Sequence, residues 1–298
     1  MIRKTIVLIV LGILLNIPSY ACDVCGCSIS GTGLGLVSAY RYNFISMSWQ
    51  LTPFEGSRFH GAGSYDQFHT LELSMRYHFT TDFKLLVHQP YKLNFRNTND
   101  ELSNLEGIGD TRILANYTIL RDKKIGGVNL YMELGAGAQL PVGKYDSNLH
   151  SKDLPENFNI GKGTWSFIFQ PNIILNKNNF GLIMNGTYQR NAVSKSGYQF
   201  GNQVSGQALF YYRKDLKNEL ALTPYLGILG ESIAQDHFDD GALVSGTSGK
   251  GLFLTTGINL KWKSLLFSTA YTPPLSQMYS LNEVSAKSRY MGQISFIF

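Results

Sequence analysis

From Tyr40 to the carboxyl terminus the chain reads as about twelve segments in which apolar and polar residues alternate, and no run among them reaches the length of a membrane-crossing helix. A period of two marks a strand whose two faces meet different surroundings, whereas a helical span needs about eighteen or more consecutive apolar residues. Helical spanning is excluded for this part of the chain, and a sheet with one apolar and one polar face is required. The strands are expected near Tyr40–Leu51, Phe68–Phe79, Phe83–Phe95, Thr111–Ile119, Val128–Leu140 and Trp165–Leu175. The others are expected near Phe180–Tyr188, Val204–Tyr212, Leu220–Gly230, Leu252–Leu260, Leu265–Tyr271 and Tyr290–Phe298. Most are about ten residues long, enough to cross a bilayer at the tilt of a barrel.

The connections separate a soluble sandwich from a membrane barrel. Every second one is short: Thr80–Asp82, Arg121–Gly126, Asn176–Asn179, Lys214–Asn218 and Lys261–Ser264. Those between are long and polar: Thr52–Ser64, Arg96–Glu106, Lys144–Lys162, Ala192–Gly201, Ser232–Lys250 and Pro273–Ser288. Short periplasmic turns alternating with long outer loops are the wiring of an outer-membrane barrel, and a sandwich has no reason to keep that rhythm. The expected fold is therefore all-β, a transmembrane antiparallel β-barrel of about twelve strands in the bacterial outer membrane. An even strand number places both termini on the periplasmic side. Closure removes every sheet edge, which lipid demands because it offers no partner to an open N–H or C=O.

Composition agrees. Aromatic residues make up 13% and charged residues only 16% of the chain, with thirty glycines. Mean hydropathy is near zero, as when an apolar outer face is averaged against a polar lumen. The net charge of +5 is small for 298 residues. Without a basic stripe it points to no nucleic-acid partner. Aromatics on the lipid parity (Trp49, Tyr77, Phe79, Trp165, Tyr188, Tyr212, Tyr271 and Phe298) gather towards strand ends, as interfacial girdles do. His69 shares that parity, near one strand end.

The two ends carry signals of their own. Residues 1–21, MIRKTIVLIVLGILLNIPSYA, combine Arg3 and Lys4 with an apolar run of about ten residues and small residues before Cys22. They are expected to be a secretory signal peptide. Residues 39–298 are the expected barrel, and its terminal strand closes on Phe298, the signal read by the barrel-assembly machinery. Between them, residues 22–38 hold Cys22, Cys25 and Cys27, which are all the cysteines of the chain. Three readings of CxxCxC stay open. Three thiolates could hold Cu(I) or Zn(II), with Asp23 or an α-amino group completing a zinc shell. A disulfide, Cys22–Cys25 or Cys22–Cys27, would leave one thiol over. Lipidation of Cys22 would pair Cys25 with Cys27 across a strained spacing. The small residues Ser28–Gly35 that follow suit a plug entering the barrel mouth or lying across it.

Inward parity collects Glu72, Arg76, His78, Lys84, His88, Lys92, Asp110, Arg112, Glu133, Arg213 and Glu231, the expected lumen-lining charges. They read either as a salt-bridged filling of a narrow interior or as a constriction that selects solutes. His78 and His88 on neighbouring strands make at most half a metal site. The stretch His60–Ser64 has no nucleophile elbow behind it, and Asp146, Asp239 and Asp240 lack calcium-loop spacing. No catalytic set emerges, and no enzyme is expected.

The central third adds a resemblance. EGIGDTRILANYTIL (Glu106–Leu120) resembles the G-[LI]-G-D-x-x-[LI]-x-x-x-Y segment of outer-membrane barrels assigned to transport in the meta-pathway of phenol degradation. LGAGAQLPVGKYDSN (Leu134–Asn148) is similar to that family's strand ending in L-P-T-G, with Val142 in place of Thr. IGKGTWSF (Ile160–Phe167) matches its G-x-G-x-[WY], and LLVHQPYKLN its preceding strand. The family is loosely similar to fatty-acid channels, whose amino-terminal segment plugs the lumen. The resemblance implies a channel for passive uptake of small molecules, hydrophobic or aromatic ones among them. The cysteine cluster is not part of the family pattern. It keeps a second expectation open, a membrane-anchored protein that binds copper or zinc or senses redox state.

Overall fold

The computed structural model describes residues 42–56, 63–98, 101–149 and 154–298. The segments 1–21 and 22–38, and with them Cys22, Cys25, Cys27 and the expected plug, lie outside the described residues. Twelve antiparallel strands form one closed ring. They are β1 (Phe44–Gly56), β2 (Ser64–His78), β3 (Phe83–Thr98), β4 (Thr111–Ile125), β5 (Val128–Leu140) and β6 (Ser166–Lys177). The ring continues through β7 (Phe180–Asn191), β8 (Gln203–Tyr212), β9 (Leu220–Ile233), β10 (Gly249–Trp262), β11 (Leu265–Thr272) and β12 (Arg289–Ile297). Each strand pairs with its sequence neighbours, and β1 closes on β12 in unbroken register from Phe44↔Ile297 to Leu51↔Tyr290. All twelve expected strands are present.

Alternation sets the two faces. In β1, Phe44, Ser46 and Ser48 are buried while Ile45, Met47 and Trp49 are exposed. The same pattern leaves an apolar outer surface of Leu73, Met75, Phe210, Leu226, Ile258 and Ile294, the surface that a hydrocarbon environment requires. Trp49, Tyr77, Phe79, Trp165, Tyr188, Tyr212, Tyr271 and Phe298 are all on this exposed face. Trp49 Nε1 donates to His69 Nδ1 at 3.3 Å.

One end of the barrel carries the short turns. The tightest is Gly126–Gly127, with φ of +56° and +81°, a two-residue hairpin that needs positive φ at both positions. Beneath it β4 is longer than expected, running on to Ile125, whereas β5 keeps its expected bounds, Val128–Leu140. At the other end, most of the expected loop Arg96–Glu106 is strand. Glu101–Ile108 pairs with Tyr91–Thr98, so the β3–β4 connection is a hairpin standing above the ring. Pro274–Tyr279 similarly prolongs β11 along β10, with a register irregularity at Leu252/Phe253. Pro273 and Pro274 bring no N–H to the ladder there, which accounts for the interruption.

The interior has three levels. Near the turns, Tyr131, Ile174, Ile183, Leu209, Tyr211 and Tyr225 form an apolar cluster, with Phe44, Leu266 and Ile297 beside the chain ends. Polar and charged side chains fill the middle. At the loop end a second apolar cluster joins Phe54, Phe68, Leu229, Ile233, Phe253 and Tyr279 to Leu149, Leu154 and Phe158 of the β5–β6 loop.

A charge placed on the outer face should be costly if that face meets hydrocarbon. Leu73→Arg, midway along β2, is expected to lower unfolding stability in lipid vesicles by about 2–4 kcal/mol. Reversible denaturant titration checks this, and Tyr77→Arg, closer to the strand end, should cost less.

Candidate functional site

The sequence-predicted charges fall into separate buried groups. On β2–β4, Glu72 is ion-paired with Arg112 through Oε2. Its Oε1 lies 3.0 Å from His88 Nδ1 and accepts from Ser74 Oγ at 3.1 Å. Towards the turns, Glu133 is ion-paired with Lys84, accepts from Tyr131 Oη at 2.6 Å and from Asn116 Nδ2 at 2.9 Å. Lys84 Nζ also donates to Tyr131 Oη at 2.7 Å. Arg76 stacks over the Phe44 ring at 4.7 Å and donates to the Tyr42 carbonyl. On the far wall Arg289 meets Glu231 with two contacts of 2.7 and 2.9 Å, and Tyr279 Oη donates to the same carboxylate at 2.5 Å. Lys92 is half-buried on β3.

Other expectations are corrected. Arg213 is not inside the barrel. It lies one residue beyond the end of β8, in the turn, exposed and paired with Asp215 at 2.9 Å. Strand parity does not carry past Tyr212, where the strand stops. His78 sits at the end of β2 with its Nδ1 2.8 Å from Asn43 Oδ1, and so does not join His88. Among the described residues no three His, Cys, Asp or Glu side chains gather as a metal site.

Asp110 is the residue whose role differs most from a lumen charge. Its Oδ1 accepts the Gly143 N–H at 2.9 Å. Its Oδ2 accepts the Lys162 N–H at 2.8 Å and Gln139 Nε2 at 2.9 Å. One carboxylate thus ties both feet of the β5–β6 loop, and Gly161 N–H donates across the base to the Lys144 carbonyl at 2.9 Å. Amide donors to an ionised carboxylate make strong hydrogen bonds. The approach is close enough to exclude side chains. A Cβ on Gly161 would stand 2.6 Å from the Gly143 oxygen, and one on Gly143 would stand 2.9 Å from Asp110 Oδ1. The G-I-G-D, L-P-V-G and I-G-K-G stretches, far apart in sequence, meet at this one point.

Held at its base, the loop folds into the barrel mouth. Leu149 and Phe158 are fully buried. Phe158 packs edge-on against Phe68 of β2 at 5.7 Å, under the Arg96 guanidinium, and its carbonyl accepts from Asn94 Nδ2 at 2.8 Å. Arg96 is fixed by Asp66 through bonds of 2.7 and 2.6 Å. The same loop cluster reaches Leu229, Ile233, Phe253 and Tyr279 on β9, β10 and the β11 extension, so the loop crosses the mouth. Asp66 and Arg96 lie just outside the expected strands and enter the interior because β2 and β3 are longer than expected. Arg289, beside the terminal strand, shares its inward parity but was not among the expected charges. Sequence reasoning missed the inward loop because no local signal tells a loop folded in from one folded out.

The loop also carries titratable groups. Glu156 is buried, with Asn159 Nδ2 donating to its Oε2 at 3.1 Å. Burial pushes its carboxyl up to about 7, against the help of Tyr145 and Asn159, and the nearby carboxylates Asp236 and Asp146 push the same way. Asp236, on the β9–β10 loop, is raised to about 6 by burial, although Tyr198 Oη and the Gly201 N–H both donate to it at 2.5 Å.

These features define a class: a transmembrane β-barrel of outer-membrane architecture, twelve strands round, with its mouth crossed by an internally tethered loop. The family model described as "Putative MetA-pathway of phenol degradation" matches residues 61–271, and the chain belongs to that family. An outer-membrane channel of Pseudomonas putida F1 superposes with a TM-score of 0.63 at 12% identity, over 86% of this chain and 96% of that one. The translocator domain of the autotransporter NalP from Neisseria meningitidis superposes with a TM-score of 0.48 at 10% identity, over 91% and 95%. No curated protein matches the chain in sequence.

The raised Glu156 gives a pH dependence with a definite sign. A carboxyl raised in the folded loop stabilises the inward position below its ordinary pKa of 4.5 and loses that contribution as pH climbs through about 7. A carbon-13 titration of the Glu156 carboxyl should therefore show a midpoint well above ordinary carboxylates. Hydrogen-exchange protection of the loop amides should fall between pH 5 and pH 8, and Glu156→Gln should flatten that fall.

Proposed function

We propose that the protein is a passive channel of the bacterial outer membrane, admitting small molecules, hydrophobic or aromatic ones among them. Both termini face the periplasm, and Phe298 is the residue presented to the barrel-assembly machinery. The Cys-bearing segment 22–38 belongs at the periplasmic mouth. The observation that carries the channel reading is the double tether at Asp110, which holds a loop across the mouth from inside. A barrel serving only as an anchor has no use for an internal constriction secured at both feet, whereas a channel needs its narrowest point fixed. The family and the P. putida channel fold support the same reading. The paired interior adds to it. Glu72, Glu133 and Glu231 each meet a cation inside the barrel, so these ion pairs leave little net charge with which to hold an ionic solute.

Osmotic swelling of proteoliposomes tests this. The mature chain should admit small neutral solutes, and Asp110→Ala, which frees the loop feet, should raise the rate severalfold. Tight vesicles with both proteins would contradict the channel reading.

A further inference from the structure

The outer face of the barrel is not evenly covered. Across β8, β9 and β10 a groove of about 510 Å³ opens on it near the loop end. Val204 of β8, Leu252 of β10 and Met278 of the β11 extension line it, all outward and exposed. Its floor is Gly206, directly across from Gly230. A Cβ on Gly206 would meet nothing nearer than 3.5 Å, and one on Gly230 nothing nearer than 4.0 Å. Neither has a positive φ. The packing of the barrel therefore does not ask for glycine at either place, unlike Gly227, where a Cβ would stand 2.0 Å from the Ala208 oxygen. Glycine inside a strand weakens it, and it marks a place where a ligand or another backbone comes close.

The groove is apolar at its floor and cationic at its rim. Lys250 lines it, exposed, opposite Ser232 on β9 and Met278 on the β11 extension. Ser232 is in turn opposite Val204, and Val204 opposite Tyr188 of the aromatic girdle. Val204 is the second residue of β8, Ser232 the penultimate one of β9 and Lys250 the second of β10. This row therefore lies where the strands leave the hydrocarbon, and Gly206, Gly230 and Leu252 lie one row deeper. Arg190, two residues beyond Tyr188 on β7, adds a second exposed cation to this face. Lys250 makes no ion pair among the described residues. Glu231 touches the groove from inside, where Arg289 and Tyr279 answer it.

We infer that the groove holds a phosphate-bearing lipid of the outer leaflet, one acyl chain lying over Gly206 and Gly230 and the phosphate at Lys250. The trough supplies van der Waals contact, which in lipid takes the place of a hydrophobic drive. The ammonium supplies the choice between lipids, because an anionic headgroup meets Lys250 at its own depth and a zwitterionic one brings its own cation there. The site lies on the outer surface and does not depend on passage through the barrel.

The test is native mass spectrometry of the mature chain in detergent, titrated with diphosphorylated lipid A and, separately, with the same lipid stripped of its phosphates. The wild type should retain one molecule of the first and bind the second far more weakly. Lys250→Gln should weaken binding of the first about fivefold, the effect of one basic residue at a membrane surface. Gly230→Leu fills the trough from open space, so the barrel stays closed while binding weakens by a similar factor; heat-modified gel mobility checks closure. A wild type that retains neither lipid, or both variants binding like the wild type, would overturn the site. Equal binding of the two lipids, or loss in Gly230→Leu alone, would overturn the phosphate contact and leave an acyl trough. Loss in Lys250→Gln alone would overturn the groove and leave only attraction to surface charge.

Discussion

Everything in this molecule follows from one constraint: in hydrocarbon no water is present to satisfy a backbone N–H or C=O, so the sheet must close on itself. The unbroken register of β1 on β12 meets that demand. Once closure is fixed, alternation has only one solution. Apolar residues face out, and whatever remains must share the space inside. Twelve strands enclose more room than their own side chains fill at the loop end, and there the β5–β6 loop turns inward to pack Leu149, Leu154 and Phe158 against both walls.

That filling brings an electrostatic obligation. A carboxylate or guanidinium withdrawn from water is tolerated when it is paired and its remaining hydrogen-bonding capacity is met. Glu72, Glu133, Glu231 and Asp66 each meet a cation, and each also takes a hydroxyl, an amide or a second guanidinium bond. Asp110 solves the same problem differently. Its partners are backbone and side-chain amides, so its charge organises the chain and does not cancel another charge. The distinction separates side chains that fill the barrel from the one that shapes its mouth.

Much of the fold was legible in the sequence because a period of two and a rhythm of loop lengths are local signals. All twelve strands lie where alternation puts them, and the short turns alternate with long connections. What was not legible depends on contacts between distant segments. Arg213 kept the parity of a strand that had already ended. Alternation is faint in the expected loop Arg96–Glu106, yet its residues Arg96–Thr98 continue β3 and Glu101–Ile108 pairs back onto β3 beyond the ring. The glycine-rich stretches could be recognised as a resemblance, but their reason could not. Gly143 and Gly161 are small because each lies against the other and against Asp110, a meeting that no single stretch reveals. The expected amino-terminal plug lies outside the described residues. The mouth itself is crossed by a loop that the sequence left open.

Asp110 holds the inward loop as a rigid part of the barrel. Hydrogen exchange of the Gly143, Gly161 and Lys162 amides in the lipid-embedded protein measures this most directly. Protection should be as strong as that of the β4 and β5 ladder, and should be lost at all three when Asp110 becomes Ala. Exchange in the wild type at the rate of an open loop would contradict it.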